Sequence, residues 1–218
     1  PSLLAQLGHL QLRSVCGTRL THIDLEAATR YGVLICAPTA QVQGSVTKTA
    51  TAEQTWNLLL ALLKDTPLND RAIHAGGWQT RPTRGVAGKT LGILGLGAIG
   101  QQVADMGRAM RMRVIAWSPR LTPERAQVHG VTAVPFEQLF TESDVLSIHA
   151  SLTPDSRDLV GEAALHLMRP HAVLINTARA AIVNEQAIRQ ALERGTIAGA
   201  GFDVYWEEPL PPDHWLRG

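Results

Sequence analysis

The segment Thr90-Leu91-Gly92-Ile93-Leu94-Gly95-Leu96-Gly97-Ala98-Ile99-Gly100 limits what this chain can fold into more than any other part of it. A short apolar run ends in Gly95-x-Gly97-x-x-Gly100, and an amphipathic pattern follows with apolar residues at Ile99, Val103, Met106, Ala109 and Met110. That order predicts a buried parallel strand, a tight turn and a helix over 98–110. Each glycine has a separate duty: Gly95 permits the turn, Gly97 leaves the backbone open to a pyrophosphate, and Gly100 lets the helix pack close to the strand. N–H groups at the helix start then face the phosphates, through Ala98 and Ile99 as well as the glycines. A glycine turn alone is weak support for nucleotide binding; a strand before it and a helix and strand after it make the support strong.

Downstream the alternation continues without a break. Strands are expected at 90–94, 112–117, 144–149, 172–176 and 197–203, and helices at 98–110, around 123–129 and 136–140, near 161–168 and at 184–194. Strands joined by helical crossovers require a parallel sheet covered on both faces, so the fold class is α/β, a Rossmann-type doubly wound sheet. Upstream, 10–16 and 33–36 read as strands and 24–31 as a helix stopped by Gly32, too few elements for a sheet. A polar stretch over 37–51 precedes a long helix pattern through Trp56 and 58–63. The domain boundary belongs in that stretch, giving 1–44 as one piece and 45–218 as the other.

Composition narrows the partners. A formal net charge of +1 over 218 residues, with 18% charged residues, gives no bias toward polyanions, and no basic run occurs, so nucleic acid is not expected. The longest apolar run, 58–63, is far short of a membrane span, so no membrane partner is expected either. Cys16 and Cys36 each follow a β-branched apolar residue and form no C-x-x-C pair. Buried reduced thiols in a cytoplasmic protein are therefore expected.

Four motifs occur in order: residues 88–100 around the glycine loop, Leu152-Thr153-Pro154, Asn176-Thr177-Ala178-Arg179, and Asp203-Val204-Tyr205-Trp206-Glu207-Glu208-Pro209. Together they resemble the D-2-hydroxyacid dehydrogenase family, from about Leu10 to the last residue. The resemblance implies a flavodoxin-like substrate domain split by an inserted dinucleotide domain, of which this chain would carry the end of the first part and most of the insertion. The start of the substrate domain and everything beyond Gly218 would be missing.

The same resemblance implies roles for residues. Arg179 matches the substrate arginine, whose planar fork can bind a carboxylate bidentately and polarise the neighbouring carbonyl; the alternative is a surface ion pair. Glu208 matches the carboxylate that keeps a catalytic histidine protonated. In the family that histidine lies in a Pro-His pair after a further strand, beyond this sequence, and His214 does not take its place. Asp203 resembles the aspartate facing the nicotinamide carboxamide. Thr153, Thr177 and Ala178 match cleft residues near the cofactor, and His149 closes a strand that lines the same cleft or serves a structural role. Cys16 and Gly17 match the loop whose backbone N–H groups help bind the substrate carboxylate.

Cofactor preference turns on the residues about 20 positions after the glycine loop, where an NAD enzyme has an acidic residue on the ribose. Ser118-Pro119-Arg120 stands there instead. With no carboxylate to repel a 2′-phosphate, and with Arg120 and Arg113 or Arg125 available to bind one, NADP is favoured over NAD. The function implied is hydride transfer between NAD(P)H and a small 2-keto acid, with glyoxylate or hydroxypyruvate as substrates. The alternatives are a nucleotide-sensing corepressor-like protein or an inactive piece of the enzyme. A homodimer is expected, through the long helix with Trp56, Leu58, Leu59 and Leu62, unless those residues form an internal core face.

Overall fold

The computed structural model describes residues 3–15, 23–37, 40–79 and 81–217, with the side chains of 40–47 outside that description. The chain divides into two compact units, Pro1–Ala50 and Thr51–Gly218.

In the first unit α1 (Leu3–Gln6) leads to β1 (Leu12–Ser14), α2 (Leu25–Arg30) and β2 (Leu34–Cys36). Asp24 caps α2, its side chain accepting the Ala27 N–H at 2.8 Å and so satisfying one of the free donors of the first turn. The two strands do form a sheet, contrary to the expectation from their number, pairing in parallel from Leu12 opposite Leu34 to Ser14 opposite Cys36. Cys36 is a free and exposed thiol, which corrects the expectation that it is buried. A strand in a two-stranded ribbon covers neither of its faces by pairing alone.

Helix α3 (Ala40–Leu63) begins inside the polar stretch and crosses the division between the units. After it come α4 (Thr66–His74), β3 (Thr90–Leu94), α5 (Ala98–Ala109), β4 (Arg113–Trp117), α6 (Pro123–Gln127), β5 (Thr132–Ala133), α7 (Phe136–Glu142), β6 (Val145–Ile148), α8 (Glu162–His166), β7 (Val173–Asn176), α9 (Glu185–Glu193) and β8 (Gly199–Phe202). The strands make one six-stranded sheet in the order β5-β4-β3-β6-β7-β8, parallel throughout.

Period-two alternation divides the core into two layers. Leu91, Ile93, Val114, Ala116, Val145, Val173 and Ile175 point to the face covered by α3 and α5, where Trp56, Leu59, Val103 and Ala104 are buried. The alternate residues Leu94, Ile115, Leu146, Ile148 and Leu174 meet Leu139, Phe140, Leu165 and Ile188 of α7, α8 and α9 on the other face. Trp56 and Leu59 thus belong to the internal core, and the long helix does not offer them to a partner. Exposed apolar residues lie just beyond it, at Leu68, Ile73 and Trp78, as well as elsewhere on the surface. Among the described residues no helix is long and apolar enough to cross a membrane.

One polar cluster fastens the N-terminal end of this sheet. Asp144 is buried just before β6; it accepts the Thr90 N–H at 2.7 Å, and its other oxygen accepts from His171 at 2.6 Å and Arg169 at 3.3 Å. Burial pushes its pKa up, but the Thr90 N–H, His171, Lys89 and Arg169 outweigh that and hold it below the ordinary carboxylate value. A folded-state value below the unfolded one stabilises the fold above about pH 4, and that contribution is lost as pH falls through the folded value. Asp144→Ala leaves the Thr90 donor unpaired and should cost about 1–3 kcal/mol at pH 7. Urea melts of the variant and wild type should converge as pH is lowered below about 4; equal stability at pH 7 would refute the role.

Candidate active site

The glycine turn is built by close backbone contacts. Gly95 has φ +103°, a conformation L side chains rarely adopt, and a Cβ there would lie 2.6 Å from the Ala150 nitrogen. A Cβ at Gly100 would lie 2.4 Å from the Gly95 carbonyl oxygen, whereas one at Gly97 would meet nothing within 4 Å. Gly95 and Gly100 therefore hold α5 against the end of β3, and Gly97, the residue capping α5, borders open space. The first N–H groups of a helix have no partner inside it, and those of α5 point into that space with the positive end of the helix dipole. The arrangement fits the pyrophosphate of a dinucleotide, with Ala98 and Ile99 contributing backbone only.

Chain order reverses beside β3, which lies between β4 and β6, so the crevice at the C-terminal strand ends is a topological switch point. At the end of β4, Ser118 Oγ accepts the Leu96 N–H at 2.9 Å, tying that strand end to the glycine turn. Arg120 is exposed, and its carbonyl accepts from Arg125 at 3.1 Å. Arg113 starts β4 at the opposite end of the sheet, where it pairs with Glu142 and donates to Thr90 Oγ1 at 3.3 Å. It is thereby removed from the candidate phosphate ligands.

His149 follows β6 and is half-buried, with Nε2 2.8 Å from Ser147 Oγ. Desolvation lowers its pKa to about 4, so the imidazole is neutral at physiological pH. Thr153 starts a short 3-10 turn, its N–H donating to Ser156 Oγ at 2.7 Å.

Beyond β7 the chain is shaped by Asn176, a fully buried residue. Its Oδ1 accepts the Ala178 N–H at 3.0 Å and its Nδ2 donates to the Arg179 carbonyl at 3.0 Å. This bracket fixes the backbone from which Arg179 projects. Arg179 is exposed, donates to its neighbour's Ala178 carbonyl at 2.6 Å, and has no carboxylate partner among the described residues. The surface ion pair is thus not formed.

Thr177 is buried, with its hydroxyl 2.8 Å from Thr55 Oγ1. Since Thr55 donates its proton to the Thr51 carbonyl, Thr177 must donate to Thr55. The Asp203 N–H, just past β8, donates to the Asn176 carbonyl at 3.1 Å, and Asp203 Oδ1 accepts from Gln54 at 2.9 Å. Gln54 and Thr55 escaped the sequence reading because α3 and the strand ends they meet are more than a hundred positions apart; the bracketing action of Asn176 is local but depends on the direction its buried side chain takes.

Glu208 is exposed and accepts the Tyr205 N–H at 3.1 Å. His214 instead faces Glu185, with Nε2 2.9 Å from Oε1, and Trp215 donates to the same oxygen. Cys16 and Gly17 lie outside the described residues.

Comparison with known proteins agrees with this geometry. The family described as D-isomer specific 2-hydroxyacid dehydrogenase, NAD binding domain, matches residues 56–218. A glyoxylate reductase of Aeropyrum pernix is 41% identical over 98% of this chain and 65% of its own length. A D-3-phosphoglycerate dehydrogenase of Archaeoglobus fulgidus is 34% identical over 95% of this chain and 39% of its own. Among solved structures, a phosphoglycerate oxidoreductase from Vibrio cholerae O395 superposes with TM-score 0.85 at 32% identity, covering 97% of this chain and 67% of that one. The chain thus spans less than two thirds of the length of either curated relative.

Gly97 and Gly100 separate folding from binding. Gly97→Ala should melt as wild type does, since its Cβ has room at a negative φ, yet it should lose at least about tenfold in dinucleotide affinity by crowding the phosphates. Gly100→Ala should lower stability itself, by about 1–3 kcal/mol. Calorimetric melts and titrations check both; a destabilised Gly97→Ala, or one with undiminished affinity, contradicts the assignment.

Proposed function

The chain belongs to the D-isomer specific 2-hydroxyacid dehydrogenase family, and from that premise we propose that it carries the nucleotide-binding part of an enzyme interconverting a small 2-keto acid and its D-2-hydroxy acid, with glyoxylate or hydroxypyruvate as substrate. The observation that carries this reading is Arg179. It is exposed beside the strand ends, without a carboxylate partner among the described residues, and is held by a fully buried bracket. An arginine kept for a ligand's carboxylate has to be held in place yet left unneutralised, and Arg179 meets both conditions. Residues 1–44 would belong to the substrate domain and 45–218 to the NAD(P)-binding domain.

When bound, NAD(P)H supplies the hydride. The protein's part is to place the substrate and manage charge. Arg179 binds the carboxylate through two parallel N–H donors and draws electron density from the adjacent carbonyl. Thr177 and Ala178 set the floor beneath it. Glu208 is the carboxylate that would keep a histidine protonated, so that its proton is available to the ketone oxygen near neutral pH.

The finer assignments rest on single features. NADP is favoured over NAD because Ser118 and Arg120 stand where an acidic residue would repel the 2′-phosphate. A homodimer is supported by the exposed Leu68, Ile73 and Trp78 on and just beyond α4, an apolar set a monomer would leave in water. The exposed Cys36 thiol fits a reducing, cytoplasmic compartment.

In the intact protein, Arg179→Lys should raise KM for the keto acid and lower kcat, together costing at least about tenfold in kcat/KM, with NADPH affinity unchanged. Steady-state kinetics with glyoxylate check this, and unaltered kinetics would remove Arg179 from the site. The double change Ser118→Asp with Arg120→Ala should move preference toward NADH by about one to two orders of magnitude in relative kcat/KM, the worth of one charge-assisted contact. A wild type that already prefers NADH tenfold, or a ratio that does not move, would refute the phosphate pocket.

A further inference from the structure

Helix α3 is laid directly on strand β8, and the contact has a register. A Cβ on Gly199 would lie 3.2 Å from Leu62 Cδ1, and one on Gly201 would lie 3.3 Å from Leu58 Cβ. Continuing the series, Gln54 reaches Asp203 at 2.9 Å. Residues 62, 58 and 54 of the helix thus stand over 199, 201 and 203, and the two elements run antiparallel.

The steps match in length. Four helical residues advance about 6 Å and two strand residues about 6.6 Å, so a helix face repeating every four positions follows a strand face repeating every two. Glycine at 199 and 201 removes the side chains that would lift the helix away. Gln54 is therefore brought to Asp203 by packing along the length of β8, and its neighbour Thr55 grips Thr177 at the end of β7. These two residues hold the strand ends on either side of the Asn176 bracket.

We propose that Gln54 is a positioning residue for the nicotinamide end of the cofactor: by occupying Oδ1 of Asp203 it holds the carboxylate with Oδ2 turned outward, ready to accept from the carboxamide N–H. This rests on the reading of Asp203 as the carboxamide acceptor. Asp203 is exposed, and a free carboxylate on the surface rotates about its side-chain bonds. An amide donor fixed to one oxygen removes that freedom before the ligand arrives, which raises affinity by lowering the ordering cost. Gln54 contacts neither the adenosine half nor the phosphates in this scheme, so its effect is confined to the ring end.

The test compares ligands with and without the nicotinamide. Titration calorimetry on the chain and its Gln54→Leu, Gln54→Glu and Asp203→Asn variants would use NADPH and NADH against ADP-ribose 2′-phosphate and ADP-ribose. Gln54→Leu should weaken binding of the complete dinucleotides about three- to tenfold, the net worth of one hydrogen bond, and leave the ribose compounds within about twofold. Gln54→Glu should weaken the dinucleotides further, because two facing carboxylates repel. Gln54 is a half-buried helical position whose side chain reaches outward to the exposed Asp203, so the variants should melt within a few degrees of wild type. If Gln54→Leu weakens both ligand classes equally, Gln54 is structural and the proposal fails. Should Asp203→Asn lose the preference for complete dinucleotides while Gln54→Leu keeps it, only the positioning role falls. If neither variant changes the preference, the reading of Asp203 falls with it.

Discussion

The site depends on a contact in which almost nothing is present: the hydrogen of Gly100 against the carbonyl of Gly95. A methyl group there would lie 2.4 Å from that oxygen, so any larger residue displaces the start of α5 from the end of β3. The neighbouring features take their positions from this one. Gly95 donates to the Trp117 carbonyl at 2.8 Å, Ala150 closes over Gly95 from the β6 side, and Ser118 receives the Leu96 N–H. Three strand ends thereby meet around one turn, and the helix N-terminus faces the gap between them. The attraction it offers an anion is a property of the backbone, available only because the helix is aimed there.

Charge is distributed unequally between the two ends of the sheet. At the N-terminal end three cations are paired: Arg113 with Glu142, and Arg169 and His171 with Asp144. The C-terminal end carries Arg120 and Arg179, for which no carboxylate partner occurs among the described residues. An exposed ion pair contributes little to stability in any case, so leaving these two arginines unpaired costs the fold little. The same polarity explains His149. With its imidazole neutral at physiological pH, it adds no charge to that end of the sheet.

The sheet was legible in the sequence because its central strands are buried on both faces and read as continuous apolar runs. Every residue of β3, β6 and β7 is buried. The glycine turn was legible because its spacing has one mechanical use. Polar segments were less readable. Residues 40–51 lack an apolar stripe and contain Gly44 and several β-branched residues, yet they continue one helix into Trp56 and Leu59, whose burial anchors it; tertiary packing outweighs weak propensity here. Cys36 looked internal from its Val-Leu-Ile neighbours, but an exposed-intermediate-exposed pattern runs along β2. Arg113 looked available until the register placed it at the wrong end of β4. Thr177 resembled a cofactor contact by motif, and its hydroxyl proton proves to be committed to Thr55, leaving only its acceptor side and backbone for a ligand.

The same device is used at two places along the sheet. On one side Gly95 and Gly100 bring a helix end onto a strand end; on the other, Gly199 and Gly201 bring the flank of α3 onto β8. Missing side chains let main chains approach, and main chains hold position better than side chains because they carry fewer soft torsions. Residues that must be exposed to meet a ligand cannot be fixed by burial of their own tips. Arg179 is instead fixed through its carbonyl by Asn176, and Asp203 through its N–H by the same residue's carbonyl. A single buried asparagine at the end of β7 thus sets the backbone of both Arg179 and Asp203, and neither charged group has to be buried to be held in place.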